Sequence, residues 1–467
     1  MEKTFEIAVL GGGPGGYVAA IRAAQLGFKT VVIDKDNLGG ICLNWGCIPT
    51  KSLLKNAEIY DQIKNHGKDF GISTKDLSYD FTEIIKRSRG ISDRISKNVE
   101  LLIKKNKVER IRGFGKLISQ KEIAVFDENN KQTESIKADK IIIATGARPK
   151  NLPNIPVDRK NIITSTEAMS LSEQPKELII IGAGAIGIEF AYFYSVLGTK
   201  VTVIEMLDNI LPIEDTEISQ TLEKSFKKRG IDIYTKTIVE KAEVKGNKVQ
   251  VIINHNGQKK NLSADKVLSA IGVTGNLEGF GLEELGIELF KNHIKVDKKT
   301  YQTNKEGVFA IGDVIGPPWL AHVASAEGIH CVEGIKGISN PEIDYDNIPG
   351  CTYCQPQVAS VGLTETKAKE LGYEIKVGKF PFMASGKAFA VGEREGFVKL
   401  IFDAKYGEIL GGHIIGSEAT ELIAEIVLAR SLEATGHSII KTVHAHPTLS
   451  ESIMEAAANA YGEAIHI

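Results

Sequence analysis

Residues 6–34 read EIAVLGGGPGGYVAAIRAAQLGFKTVVID, and residues 177–205 read ELIIIGAGAIGIEFAYFYSVLGTKVTVIE. One offset of 171 positions aligns Gly11 with Gly182, Gly13 with Gly184 and Gly16 with Gly187. It also aligns Leu26 and Gly27 with Leu197 and Gly198, and Asp34 with Glu205. Each copy is a short β-branched run, a G-x-G-x-x-G turn, a helical stretch and a second strand that ends in a carboxylate. The first Gly makes the sharp turn, the second lets backbone approach a pyrophosphate, and the third lets helix and strand pack closely. The helix N-terminus offers free N–H groups and the positive end of its dipole to phosphates. The terminal acid accepts from a ribose diol. One such turn is common between a strand and a helix. Two in register, each with its acid, predict two dinucleotide sites. Met206, Leu207 and Asp208 follow Glu205 where an Arg or Lys would meet a 2′-phosphate, so the second site is expected to prefer NAD.

The rest of the composition agrees with a large globular chain. At 467 residues it has room for roughly two to four domains. Its 42% hydrophobic and 25% charged residues exclude a disordered or fibrous chain. Lys plus Arg number 57 against 59 Asp plus Glu, and a net charge of -2 advertises neither nucleic acid nor an anionic membrane. The 46 Gly point to many tight turns or to backbone packed close against ligands. Five Cys are not a disulfide scaffold, and the N-terminus runs straight into an apolar strand with no leader pattern, so a cytoplasmic location is expected. Residues 178–198 are apolar enough to suggest a membrane span. Glu189 and the glycines interrupt them, and they read better as a buried strand, a turn and a helix.

Residues 39–54 read GGICLNWGCIPTKSLL, with Cys42 and Cys47 four residues apart among three glycines. Two buried free thiols would pack as small hydrophobes. A structural disulfide is a poor reading, because so short a loop gains little chain entropy on closing. Directly after a dinucleotide unit, the pair makes more sense as a small ring that opens and closes by exchange with a dithiol.

This segment resembles the active-site motif of the flavoprotein disulfide reductases, and the resemblance runs over essentially the whole chain. Within that family it is closest to the members that oxidise dihydrolipoyl groups. The resemblance implies FAD at the first site and NAD at the second. It makes Cys42 the outer, interchange thiol and Cys47 the inner thiol against the flavin. It pairs Lys51 with Glu189, which would hold a positive charge where the reduced flavin turns anionic. Residues 141–149, IIIATGARP, resemble the family's crossover between its two nucleotide domains, and residues 308–314, VFAIGDV, resemble a second FAD motif in which Asp313 binds the ribitol hydroxyls. Ala321 and His322 resemble the segment along the flavin pyrimidine edge. Further FAD contacts are implied at Pro14, Gly15, Lys35, Gly40, Lys51, Gly115, Thr145 and Gly146, beside Gly11, Gly13, Gly16 and Asp34. NAD contacts are implied at Ile186, Glu189, Val239 and Gly272, beside Gly182, Gly184, Gly187 and Glu205.

Residues 444–451 read HAHPTLSE. Oxidising a dithiol requires deprotonating it, and a His oriented by a carboxylate is a suitable base near neutral pH. The segment matches the family motif in which the His before Pro is the base and the Glu orients it, here His446 and Glu451. Thr448-Leu449-Ser450-Glu451 also fits a capping box, and the two roles of Glu451 are compatible. His444 reads as structural.

The sequence departs from the family at Asp34, where Glu is usual, and at residues 271–276, IGVTGN, which lack its Arg and Pro. Cys351 and Cys354 form a C-x2-C with no second pair or nearby His to complete a zinc set, and read as strand cysteines; no metal site is expected. The expected architecture is α/β: two Rossmann-like dinucleotide-binding domains and a C-terminal α+β dimerisation domain. Residues 1–148 would bind FAD, with a loose helical excursion near 55–105. Residues 149–275 would bind NAD, residues 276–346 would complete the FAD side, and residues 347–467 would make a homodimer whose active site is shared between chains. That last domain is expected to hold strands near 357–362, 396–402 and 408–415 and helices near 418–434 and 448–460. The implied activity moves electrons from a dihydrolipoyl group through Cys42 and Cys47 and FAD to NAD. Its partners would be lipoyl domains of a 2-oxo acid dehydrogenase acyltransferase or a glycine-cleavage carrier. An NADPH-dependent disulfide reductase, glutathione reductase-like, is the nearest rival, and Glu205 argues against it. A mercuric reductase would need a C-terminal Cys pair, and a silent scaffold would not need the six reactive side chains together.

Overall fold

A computed structural model describes residues 2–339 and 341–467. The chain divides into two compact units, one of residues 1–52, 83–150 and 272–343, the other of residues 53–82, 151–271 and 344–467. Among the described residues no helix is long and apolar enough to cross a membrane.

The first unit is built on a parallel sheet. Strands Glu109–Arg112, Thr30–Asp34, Glu2–Leu10, Gln132–Ile143 and Val308–Ala310 lie side by side in that order. Alternate residues of these strands enter two different cores, Ile7, Val9, Val32 and Ile142 one, and Ala8, Leu10, Val31, Ile33, Ile141 and Ile143 the other. Both faces are therefore covered, which is why the strands read as continuous apolar runs rather than alternating ones. Strand Gln132–Ile143 is long enough to serve two neighbours on one edge. Its first half pairs antiparallel with Glu122–Phe126, which pairs in turn with Phe114–Ser119, and its second half pairs parallel with Val308–Ala310.

The second unit repeats the unit of strand, helix and strand. Strands Asp232–Tyr234, Lys200–Ile204, Glu177–Ile181, Lys266–Ser269 and Ile162–Ile163 form a parallel sheet. The repeat holds at the level of register: Leu10 faces Ile33 in the first copy, and Ile181 faces Ile204 in the second. Residues 178–198 are strand, turn and helix as expected, the helix Ala185–Val196 being buried from Gly187 to Tyr194.

Residues 344–467 add an antiparallel sheet in the order Gly350–Thr352, Gln357–Gly362, Ile409–Gly416, Phe397–Asp403, Ile375–Pro381. Helices Ala419–Ser431 and Glu451–Ala460 share its core through Ile423, Ile426, Ile453 and Ala456. One of these strands, Ile375–Pro381, was not anticipated; it lies at the sheet edge and carries Lys376 and Lys379. The reading of Cys351 and Cys354 as strand cysteines is corrected by half. Cys351 lies in Gly350–Thr352, but the strand ends before Cys354, whose thiol meets the carbonyl of Pro356 at 3.2 Å. Pro356 has no N–H to prolong a ladder there. The excursion near 55–105 runs from helix Cys47–Asp61 through short turns to the 25-residue helix Phe81–Lys105.

Candidate active site

The two glycine turns have nearly the same geometry. Helix Pro14–Gln25 starts after Gly13 at φ −69°, ψ −178°, and helix Ala185–Val196 after Gly184 at φ −71°, ψ −178°. Neither N-cap side chain satisfies the first N–H groups, as an anion-binding helix end requires. Gly11 and Gly182 sit at φ 108° and 100°, and a Cβ on either would come 2.2 or 2.4 Å from a carbonyl oxygen, of Ala144 or Ala270. A Cβ on Gly16 or Gly187 would meet the oxygen of Gly11 or Gly182 at 1.9 or 2.0 Å. These positions are closed to any other residue. The middle glycines are different: a Cβ at Gly184 meets nothing within 4 Å, and one at Gly13 meets only the Cα of Gly40 at 3.8 Å. The open space there is where a phosphate can approach.

Both acids are held by the main chain. Asp34 accepts from the N–H of Gly12 at 2.6 Å and of Asp36 at 2.9 Å. Glu205 accepts from the N–H of Ala183 at 2.7 Å and of Leu207 at 2.9 Å. The donors are themselves related by the 171-residue offset. One methylene fewer in Asp34 therefore leaves the pattern intact. Burial, opposed by those two N–H groups, raises the Asp34 carboxyl above its ordinary value. Sequence reading missed one cation at the second cradle: Lys236 reaches Asp208 at 3.2 Å and is engaged there in an ion pair.

The remaining first-cradle residues also lie in the first unit. Gly40, at φ 55°, brings its backbone against Gly13, where a Cβ would stand 2.7 Å from the Gly13 Cα. Thr145 Oγ1 donates to the carbonyl of Asn276 at 2.9 Å, and Asn276 returns Nδ2 to the carbonyl of Thr145 at 2.9 Å, with its own N–H on Gly146. The departing segment 271–276 thus keeps the Asn that clamps the crossover. Lys35 is exposed, and Gly115 is buried against Leu10. Gly272 falls in this unit too, its carbonyl accepting from Lys150 at 2.9 Å. Ala321 and His322 open helix Ala321–Lys336. Asp313 lies in the short turn Gly312–Ile315, and burial alone pushes its carboxyl up to about 6, with no hydrogen-bond donor opposing it. A half-buried carboxylate in that condition fits a ligand that brings hydroxyl donors.

Cys42 and Cys47 stand on either side of a break. Helix Gly40–Trp45 ends at Gly46, and helix Cys47–Asp61 begins at once. Both are free thiols in contact. The hydrogen bond to Cys47, with burial, pushes the Cys42 thiol up, and the charge of Lys51 pulls it back. In the second unit, Ile186 is exposed and Val239 buried. Glu189 is only 5% exposed, and its Oε1 accepts from the N–H of Tyr353 at 3.0 Å.

His446 is 80% exposed, and its Nδ1 lies 2.9 Å from Glu451 Oε1. Glu451 Oε2 accepts from the N–H of Thr448 at 2.8 Å. Burial opposes the charge, but the Thr448 N–H and the His446 ring together hold the Glu451 carboxyl below its ordinary value. One carboxylate caps the chain and orients the imidazole at once. The capping box is only half formed, since Thr448 Oγ1 turns back to the carbonyl of Ala445 at 2.7 Å. His444 has its Nε2 2.7 Å from Glu425 and its Nδ1 3.0 Å from the carbonyl of Thr442.

Comparison with known proteins agrees with this geometry. Residues 5–328 match the family model described as pyridine nucleotide-disulphide oxidoreductase, and residues 348–457 match the dimerisation domain of the same family. Dihydrolipoyl dehydrogenases of Rhizobium etli and Zymomonas mobilis are 47% and 46% identical to the chain, each match covering 100% of both proteins. That of Bacillus subtilis is 43% identical over the same full coverage. Among solved structures, LpdA from Mycobacterium tuberculosis superposes with a TM-score of 0.90 at 28% identity, covering 97% of this chain and 98% of that one. The HOCl-induced flavoprotein disulfide reductase RclA from Escherichia coli, as its Cu(II) complex, gives 0.88 at 25% identity, covering 98% and 99%.

Proposed function

Because this chain belongs to the pyridine nucleotide-disulphide oxidoreductase family, whose members use FAD and NAD(H), we propose that it oxidises dihydrolipoyl groups on carrier proteins and delivers their electrons to NAD. The observation that carries the reading is the Cys42 and Cys47 pair, set directly behind one of two matched nucleotide cradles. FAD would lie on the first cradle, with Asp34 on its ribose and Asp313 on its ribitol hydroxyls. NAD would lie on the second, with Glu205 on its ribose. The chemistry a bound FAD supplies is relay of one electron pair from the dithiol to NAD.

The residues of the chain do the rest. His446, held by Glu451, removes a proton from the substrate dithiol, and the thiolate attacks Cys42. The Cys42–Cys47 bond breaks as a mixed disulfide forms, and the second substrate sulfur closes the ring and releases Cys42 as a thiol. The substrate loses two electrons and two protons, and the protein pair gains the electrons. Lys51, one turn beyond Cys47, would set a positive charge near the flavin. The dimerisation domain at residues 348–457 supports a homodimer in which each chain lends His446 to its partner's cysteines. Lipoyl domains of a 2-oxo acid dehydrogenase or glycine-cleavage complex are the partners, in the cytoplasm.

The test is steady-state oxidation of dihydrolipoamide with each coenzyme. Glu205 should accept from a ribose diol and repel a 2′-phosphate. NAD is expected to exceed NADP in kcat/KM by at least about tenfold, or ~1.4 kcal/mol. Comparable values with both coenzymes, or no turnover of the dithiol, would overturn the assignment.

Asp313 makes FAD retention depend on pH. Burial pushes its carboxyl up to about 6 in the folded chain, against an ordinary value of ~3.9. In the free chain the raised value favours the protonated form, a stabilisation present below ~pH 4 and lost as pH rises through about 6. Ribitol hydroxyls favour the carboxylate, so FAD affinity is expected to fall up to about tenfold per unit as pH drops below 6. Equilibrium dialysis between pH 4.5 and 7 measures this, and Asp313→Asn should flatten the profile. An unchanged slope in that variant removes Asp313 from the site.

A further inference from the structure

Helix Phe81–Lys105 carries Ser88, Ser92 and Ser96 one turn apart on its buried face, exposed at 0%, 0% and 3%. A buried hydroxyl needs a partner. Each of these finds a main-chain carbonyl in the segment that bears the cysteines. Ser88 Oγ donates to Pro49 O at 2.8 Å, Ser92 Oγ to Leu43 O at 2.8 Å, and Ser96 Oγ to Leu38 O at 2.7 Å. Arg89, on the same helix, donates Nη1 to Asn44 O at 2.6 Å and lies 4.1 Å over the Trp45 ring.

These acceptors fall on both sides of the break at Gly46. Leu43 and Asn44 are in the last turn of the Cys42 helix, where carbonyls lack intrahelical partners. Pro49 is in the first turn of the Cys47 helix. The link between the two helices is a single Gly at φ −154°, ψ −110°, which by itself is free to flex. Ser88 and Ser92 grip the two sides from adjacent turns of one long helix.

We propose that Ser88 and Ser92, with Arg89 beside them, are positioning residues that hold the Cys42 and Cys47 sulfurs at a fixed separation and thereby set the poise of their couple. The proposal rests on the reading of that pair as the redox centre. In the exchange at issue the substrate dithiol gives up two electrons and two protons and closes its own S–S bond, while the Cys42–Cys47 bond opens to two thiols. Holding two thiols together raises their effective concentration and favours the closed form. Removing the grip therefore favours the open dithiol.

The experiment uses FAD-loaded enzyme equilibrated with graded ratios of dihydrolipoamide to lipoamide. The readout is the long-wavelength thiolate-to-flavin absorbance that appears when the pair opens. Ser88→Ala and Ser92→Ala are each expected to lower the dihydrolipoamide-to-lipoamide ratio needed for half-opening about tenfold, ~30 mV for this two-electron couple. Ser96→Ala is the control. Leu38 lies outside both helices and its carbonyl also accepts from Asn44 Nδ2 at 3.1 Å, so its ratio should stay within about twofold of wild type. Equal shifts in all three variants, or none in the first two, overturn the proposal. If Ser92→Ala does not fold, Arg89→Met removes the other anchor on the Cys42 side from a half-buried residue and must shift the ratio the same way. A wild-type enzyme with no such band on two-electron reduction would instead remove the redox reading itself.

Discussion

Co-refolding inactive Cys47→Ser chains with inactive His446→Gln chains is expected to restore activity at about a quarter of the sites. With a site shared across a two-fold axis, each mixed dimer carries one site with both lesions and one with neither. Random pairing makes half the dimers mixed, which yields that fraction. The His446 side chain is suited to serve another chain, since it is 80% exposed while Glu451 fixes its inner nitrogen. If each His446 served the cysteines of its own chain, every site in the mixture would keep one lesion. Zero recovery with mixed dimers demonstrated by mass spectrometry would falsify the shared site.

Lys399→Met is expected to be strongly destabilising. Lys399 sits in strand Phe397–Asp403 at 2% exposure, with Nζ 3.0 Å from Asp215, 3.0 Å from Glu217 and 2.7 Å from Glu365. Burial works against its charge, but the three carboxylates outweigh it and hold the ammonium above its ordinary range. Asp215 is equally buried and also caps helix Thr216–Lys228 through the N–H of Glu217 at 3.1 Å. Removing the cation strands that carboxylate, at a cost of about 3–5 kcal/mol. For a chain of this length that corresponds to a midpoint lower by about 3–5 °C near neutral pH, measured by circular dichroism. The sign of the pH dependence follows from the carboxyls. Asp215, Glu217 and Glu365 are all held below their ordinary values of 3.8 and 4.5, so their stabilisation is present above that range and lost as pH falls through it. The gap between wild type and variant should close in strong acid. A shift under about 1 °C at pH 7 would show the cluster to be incidental.

The features legible in the sequence were those that obey a short local rule. The G-x-G-x-x-G turns, their acids and the offset between them demand particular backbone, and the same geometry appears in both copies. His446 and Glu451 are five residues apart and meet across one turn. Ser88, Ser92 and Ser96 stayed illegible because a serine on a charged helix reads as a solvent-facing residue. The available signal was their spacing, which places them on one stripe with Ile85, Val99 and Ile103. Lys399 and Asp215 could not be read at all, since 184 positions separate them and only the folded sheet brings them together. Lys236 reached Asp208 for the same kind of reason, through a turn rather than a motif.

The agreement of the two cradles, to a few tenths of an ångström at their forbidden glycine positions, has a bearing on ancestry. A duplicated segment whose halves still share N-cap torsions and carboxylate anchoring has had little room to drift in its turn, because the first and third glycine of each copy exclude every other side chain by collision. Beyond the second strand the two copies also part. There one copy continues as Lys35, Asp36 and a pair of glycines that closes on Gly12, and the other as Met206, Leu207 and Asp208. Efforts to retarget either half to a different nucleotide should mutate those trailing residues and leave the shared turn alone.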